Sequence, residues 1–223
     1  VVNSCIATAT STTVSCNVNS ITGSNLFLIV GVFVANGANV TSVLHNGDTV
    51  DPISAETTNT DGGTGLTTFY RVAPDAGTGL TTQATIASSQ DVIIIAVIMQ
   101  DVDPTTPFSN ESTFDPEATS TSGSQNVTSA TGNLVIDFFG LGISSVADNQ
   151  TVTPSGIQTL IQNGTVIDNL RFFSSWAAGA SSVTMSWTWT PDNVSRVAKA
   201  YNINAVSAGG TSHLPVIISR RRR

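Results

Sequence analysis

The chain alternates short apolar runs with polar, turn-rich stretches, and the period is that of strands throughout. "NLFLIVGVFVAN" (25–36) is a dense β-branched and aromatic block, which predicts a central strand buried on both faces. "TSVLHNGDTV" (41–50) sets Asn46-Gly47 between two extended pieces. Both residues accept positive φ, so the pair signals a hairpin. "GLTTFYRVA" (65–73) predicts a further strand, stopped by Pro74. "DVIIIAVIMQDV" (91–102) is the strongest apolar run, and its β-branched content and the following Asp-Pro favour a strand over a helix.

The pattern then breaks. "DPTTPFSNESTFDPEATSTSGSQ" (103–125) is polar and holds three prolines, so it reads as a long connection over one edge, with room for one strand inside it. Strands resume with "NLVIDFFGLGI" (133–143). In "IQTLIQNGTVIDNLRFFSSWAA" (157–178), Asn163-Gly164 gives a second hairpin signal. "SSVTMSWTWT" (181–190) alternates: Val183, Met185, Trp187 and Trp189 share one face, and Thr184, Ser186, Thr188 and Thr190 the other. "VSRVAKAYNINAV" (194–206) predicts the last strand of the body. About ten or eleven strands without a helix, plus one long crossover, predict an all-β antiparallel sandwich of jelly-roll type. The sandwich is expected over residues 1–207, followed by a C-terminal extension, 208–223.

Composition sharpens this picture. A chain of 223 residues, 40% hydrophobic and only 10% charged, buries a real core and is not a disordered polymer. Its Ser, Thr, Asn and Gly abundance suits an extracellular or cell-surface β-protein. The longest apolar run is too short to span a bilayer as a helix, which predicts no transmembrane segment. Net charge is −7, from 8 basic and 15 acidic residues. Four of the basic residues are Arg220, Arg221, Arg222 and Arg223, so the rest of the chain has 4 basic against 15 acidic residues, or −11. An acidic body argues against nucleic acid as a partner, because phosphate neutralisation needs a basic face.

The ordered set "GSNLFLIVGVFV", "TSVLHNG", "FYRVAPDAGT", "QDVDPTTPF", "SATGNLVID" and "SSVTMSWTWT" resembles a widespread family of secreted bacterial β-sandwich modules. Those modules occur in large surface and extracellular proteins and resemble carbohydrate-binding or adhesin domains in architecture. The resemblance covers roughly residues 5–206. It implies the fold and brings no catalytic residues to carry over. This chain departs from the family in its cysteine pair, its arginine tip and its strand-like tail.

Candidate chemistry is sparse. Cys5 and Cys16 are the two cysteines, and in an oxidising compartment they close a short loop as a disulfide. His45 and His213 are isolated and lie near no nucleophile motif, which argues against a catalytic triad. Glu56, Glu111 and Glu117 are the only glutamates, and all fall in polar, loop-like segments, a poor setting for a catalytic pair. Asp101 and Asp103 in "QDVDP" could hold calcium with Glu111 or Asp115, but Asp-Pro at a strand end reads better as a turn. The chain is therefore expected to be no enzyme, with no metal and no cofactor. Trp187 and Trp189 are expected in the core, leaving Trp176 as the better candidate for an exposed sugar platform. Six N-x-Ser/Thr sequons occur, and Asn110, Asn149 and Asn163, read as turn residues, are the candidate glycosylation sites.

The ending "GGTSHLPVIISRRRR" adds a hinge, one strand's length of apolar chain and a +4 tip. Leu214, Pro215, Val216, Ile217 and Ile218 form an aggregation hazard unless buried. They are expected to act as a polymerisation strand, donated to the sheet of another copy, with Arg220–Arg223 steering onto that copy's acidic body. Copies of the chain itself are then the main partners, and polysaccharide or cell-surface glycans a further class. The alternative is a carbohydrate-binding or adhesive surface module, monomeric, with the tail folded back. The N-terminal "VVNSCIATATSTTVSC" is strand-like too, and is the other candidate donor.

Overall fold

The computed structural model describes residues 1, 3–19, 21–58, 63–114, 120–143, 151–167, 170–190 and 194–207. Leu214, Pro215, Val216, Ile217, Ile218, Arg220–Arg223 and Asn149 lie outside the described residues. The elements described are strands, in the order β1 (Asn3–Val18), β2 (Phe27–Ala35), β3 (Val40–His45), β4 (Asp48–Thr49), β5 (Asp51–Pro52), β6 (Thr57–Thr58), β7 (Thr64–Val72) and β8 (Leu80–Met99). There follow β9 (Phe108–Phe114), β10 (Ser122–Thr128), β11 (Leu134–Ile143), β12 (Val152–Pro154), β13 (Thr159–Ile167), β14 (Leu170–Ala178), β15 (Ser182–Trp189) and β16 (Val194–Ile203). All pairings are antiparallel. The chain is thus an all-β antiparallel sandwich, as its pattern predicts. Among the described residues no helix is long and apolar enough to cross a membrane.

Three sheets stack. The first runs β4-β3-β8-β2-β7-β5, with β1 on β8 and β6 on β7; the second runs β13-β14-β11-β16-β9; the third runs β10-β15-β12. The first sheet curls on itself because β1 and β8 are long and bend together. Asn3–Ser11 pairs with Gln90–Ile98, then the register breaks, and Thr13–Val18 pairs with Leu80–Thr85. Residues 86–89 are the surplus that turns the corner, as a bulge does. The bend brings two residues of one strand, Cys5 and Cys16, to a Cα separation of 5.8 Å, joined as a disulfide. An extended strand would hold residues 11 apart at about 36 Å. The expected pairing is therefore present, and it staples a folded strand across the inside of the curl.

Alternation places the core. Along β2, Leu28, Val30, Val32 and Val34 fill the curl with Ile94, Ala96 and Ile98 of β8. Phe27, Ile29 and Phe33 face the second sheet, where they meet Ile136, Phe138, Phe172 and Tyr201. Both faces are buried, so "NLFLIVGVFV" and "DVIIIAVIM" show continuous rather than alternating hydrophobicity. Where the aromatics crowd, glycine makes room. A Cβ on Gly140 would lie 2.5 Å from the Phe33 ring, and one on Gly31 would lie 2.7 Å from Phe138. Gly140→Val is therefore expected to cost about 1–3 kcal/mol or more through overpacking. Urea denaturation of the variant measures this, and an unchanged midpoint would mean the layers part freely.

The second hairpin signal does not mark a turn. Asn163-Gly164 lies inside β13, where the register shifts between Gln162 and Thr165, and the β13–β14 hairpin closes instead after Ile167. Asn-Gly here supplies a bulge, with Gly164 at φ +21° and its missing Cβ leaving space for Phe173. Asn46-Gly47 does turn the β3–β4 hairpin, both residues having positive φ, as expected. The polar 103–125 connection holds β9 whole and the start of β10.

Candidate functional site

One cluster of ionisable side chains sits where the first sheet meets the second. β9 and β16 pair from Ala198↔Phe114 to Ile203↔Phe108, with a break between Ala200 and Asn202. Asn110 and Glu111 together oppose the single residue Tyr201, and Asn110 takes φ +52°. Such a bulge re-aims a side chain. Here it brings Glu111 beside Lys199 and Tyr201, which point from β16 toward the first sheet.

Lys199 is the only lysine of the chain, and its side chain is 1% exposed. Its Nζ donates to Ser54 Oγ and to the Ala55 carbonyl, both at 2.7 Å, and stands 3.5 Å from Glu111 Oε1. Ser54 Oγ donates onward to Glu111 Oε1 at 2.7 Å, and Tyr201 Oη donates to the same oxygen at 3.2 Å. Thr68 Oγ1 lies 2.5 Å from Tyr201 Oη. Burial holds the Lys199 amine below its ordinary range, while Glu111 and then Glu56 pull it back. Burial likewise pushes the Glu56 carboxyl up, against the field of Lys199, and raises the Tyr201 phenol far above its usual value.

Glu56 is built into place. Its carboxylate lies over Gly65 of β7, where a Cβ would stand 1.7 Å from Oε1. That Oε1 is buried and makes no hydrogen bond, and neither does Thr67 Oγ1 nearby. Both residues line a groove of about 410 Å³, walled also by Ser54, Ala55, Val40 and Phe69. Both oxygens are shut off from solvent, so they lie behind the groove's surface.

A second polar cluster lies between the second and third sheets. Asp137 is fully buried and accepts four hydrogen bonds. Ser175 N and Oγ reach its Oδ1 at 3.1 and 2.5 Å, and Trp187 Nε1 and Gln158 Nε2 reach its Oδ2 at 2.7 and 3.3 Å. Gln158 Oε1 in turn accepts from Ser186 N and Ser155 Oγ. Burial outweighs the donors and moves the carboxyl up to about 7. The network is enclosed and ties the layers together.

The other expected residues fall as follows. Trp187 and Trp189 are buried, the first stacked on Phe139 and the second tilted against it, and Trp176 is half-buried. Asp103 caps a turn by accepting from Thr105 N and Thr106 N, and Asp101 takes φ +58° beside it, the turn role expected for Asp-Pro. His45 is buried with Nδ1 2.9 Å from Thr82 Oγ1, and burial lowers its pKa. Asn110 and Asn163 are exposed, but both sit in strand bulges rather than turns. Asn110 Nδ2 already donates to the Thr128 carbonyl at 2.9 Å. Glu111 is a strand residue, not the loop residue its polar neighbours predict. Sequence reasoning missed the Lys199–Glu111–Glu56 cluster because only sheet register assembles it. The available signal was one lysine set in an otherwise apolar strand, "VAKAYNI". No family model, curated protein or solved structure matches the chain.

Proposed function

We propose that this chain is the structural subunit of an extracellular filament, assembled head to tail by donation of residues 212–219 to a sheet of the next copy. The observation that carries the reading is the outer edge of β1. Among the described residues β1 pairs with β8 alone, so one side of a 16-residue strand keeps its backbone groups free of any ladder. Sheet edges are ordinarily guarded by charge or proline. "NSCIATATSTTVSCNV" has neither, and is lined by small hydroxyl residues that a second strand can approach closely. The route out of the body brings the tail within reach of a β1 edge, its own in the folded-back alternative or that of another copy in the filament. Ala205 bridges to Val102, and Val206 N donates to the Asp101 carbonyl, just beyond the end of β8 that pairs with Asn3. The chain thus leaves the body close to where β1 begins.

Burying Leu214, Val216, Ile217 and Ile218 contributes roughly 6–10 kcal/mol before association costs. A head-to-tail contact that does not close into a ring propagates as a fibre. Pro215 restricts the ladder bonds of the donated strand, which suits an edge. The four terminal arginines meet a body of charge −11 (4 basic against 15 acidic residues), which guides the approach.

The test is negative-stain microscopy of the full chain beside a version ending at Ser207. Fibres are expected with the full chain and none after truncation. Fibres from both would move the donor to the N-terminal segment. Monomers from both would sink the filament and leave the second reading, a carbohydrate-binding or adhesive module. The groove walled by Ser54, Glu56, Thr67 and Phe69 favours that second reading, and a glycan array would then test it.

A further inference from the structure

We propose that Lys199 and Glu111 join covalently, as a side-chain amide that locks β16 to β9. The inference stands apart from the filament reading, since it concerns one chain alone.

The geometry is unlike that of an ordinary ion pair. A lysine paired to a carboxylate for stability makes its short hydrogen bond to the carboxylate, near 2.8 Å. Lys199 gives its short bonds to neutral oxygens, Ser54 Oγ and the Ala55 carbonyl, and holds Glu111 at 3.5 Å. The atom to be attacked, Glu111 Cδ, is bonded directly to that oxygen, so the amine stands beside the carboxyl group without being tied to it by a short hydrogen bond. Two hydroxyl groups, Ser54 and Tyr201, donate to Glu111 Oε1 and draw electron density from its carboxyl carbon. These donors are fixed: Tyr201 is buried and held by Thr68, and Ser54 is held by Lys199 itself. Removal of the amine from water favours the neutral form, in which nitrogen carries a free lone pair. Glu56 supplies a second carboxyl in the field of the amine, with one oxygen free of hydrogen bonds and suited to hold a proton in transit.

The step balances without a further reagent. Transfer of a proton within the pair gives a neutral amine and a carboxylic acid. The Nζ lone pair attacks Glu111 Cδ and a C–N bond forms. The tetrahedral carbon then expels its hydroxyl, which leaves as water with one amine hydrogen, relayed through Ser54 or Glu56. One C–O bond breaks, and nothing is oxidised or reduced. The groove beside Ser54 and Glu56 gives the water an exit. The bond closes a ring between residues 88 apart in sequence and secures the last strand of the body.

Because Lys199 is the only lysine, a single measurement reads the bond. The full chain, produced without glycosylation, is denatured unreduced and its intact mass recorded. The expected mass is one water below that of the disulfide-bonded sequence. Peptide mapping is expected to yield a branched species joining the segments that carry Lys199 and Glu111. Lys199→Met and Glu111→Ala should each restore the missing water. Glutamine at 111 is avoided, since loss of ammonia from it would form the same amide. A fraction of molecules carrying the branched peptide supports the bond whatever its size. A wild-type chain entirely at full mass, or a lost water mapping elsewhere, overturns it, and that readout stands even if a variant fails to fold.

Discussion

Asp137→Ala is expected to lower the unfolding free energy by roughly 3–5 kcal/mol, measured by urea denaturation near pH 6. The Asp137 carboxyl group accepts from Trp187 Nε1 at 2.7 Å and sits between Ser175 and Gln158. Alanine leaves these donors facing one another in a space closed off from the surface. Asp137→Asn should fall between, because one amide oxygen still accepts while the NH₂ meets two donors head on. The same residue gives the wild type a pH dependence with a definite sign. Its carboxyl is raised from 3.8 to about 7 by burial. Between those values the folded state holds a proton that the unfolded state has released, so stability falls as pH rises through this window and is level above it. Below the unfolded value the contribution is complete. Denaturation at several pH values tests this: the slope should flatten in Asp137→Asn. Equal slopes would show that Asp137 stays ionised throughout, its four donors outweighing its burial.

The second large effect belongs to the staple. Cys5→Ser combined with Cys16→Ser is expected to cost about 3 kcal/mol, or roughly 6–12 °C in Tm. The ring is short, 11 residues, but it fixes a bend that the unfolded chain almost never visits. Both cysteines are buried among Val14, Val18 and Ala96, so the loss includes core contacts as well as chain entropy. Comparing the double variant with reduced wild type separates the two. A variant within 1 kcal/mol of wild type would show that the break after Ser11 and the apolar filling bend the strand unaided.

Residues 25–36 and 91–102 were legible as buried central strands because their density of β-branched side chains permits little else, and both are central in the first sheet. The Asn46-Gly47 hairpin was legible because its chemistry is local. Asn163-Gly164 misled for the same reason. The dipeptide states a backbone conformation, and a bulge uses that conformation as readily as a turn does. The bend of β1 left a trace only in the cysteine spacing. The spacing permits a loop, and nothing local says that the loop is one strand folded back on itself. The third sheet is built from polar-looking strands such as "SGSQNVT", whose buried residues alternate so that only Gln125 and Val127 turn inward. The site was least legible. Glu111 acquires its direction from a bulge, and Glu56 its seat from Gly65 on another strand, so neither is encoded near itself in sequence.

The pairing of β1 with β8 also sets the order in which this molecule can be made. Asn3 meets Ile98, and Val18 meets Leu80. β1 is synthesised before β8, yet β8 is its only ladder partner among the described residues, and it lies between 62 (80 − 18) and 95 (98 − 3) residues behind. Until β8 arrives, the first sheet has its outer members but lacks the strand to which β1, β2 and β3 all attach. Contacts so distant in sequence make folding slow, because the entropy of closing the loop is spent before any ladder is gained. β8 is thus the keystone in time as well as in space: an interruption in synthesis before it leaves β1 without its ladder partner, and β2 and β3 with only β7 and β4 beside them.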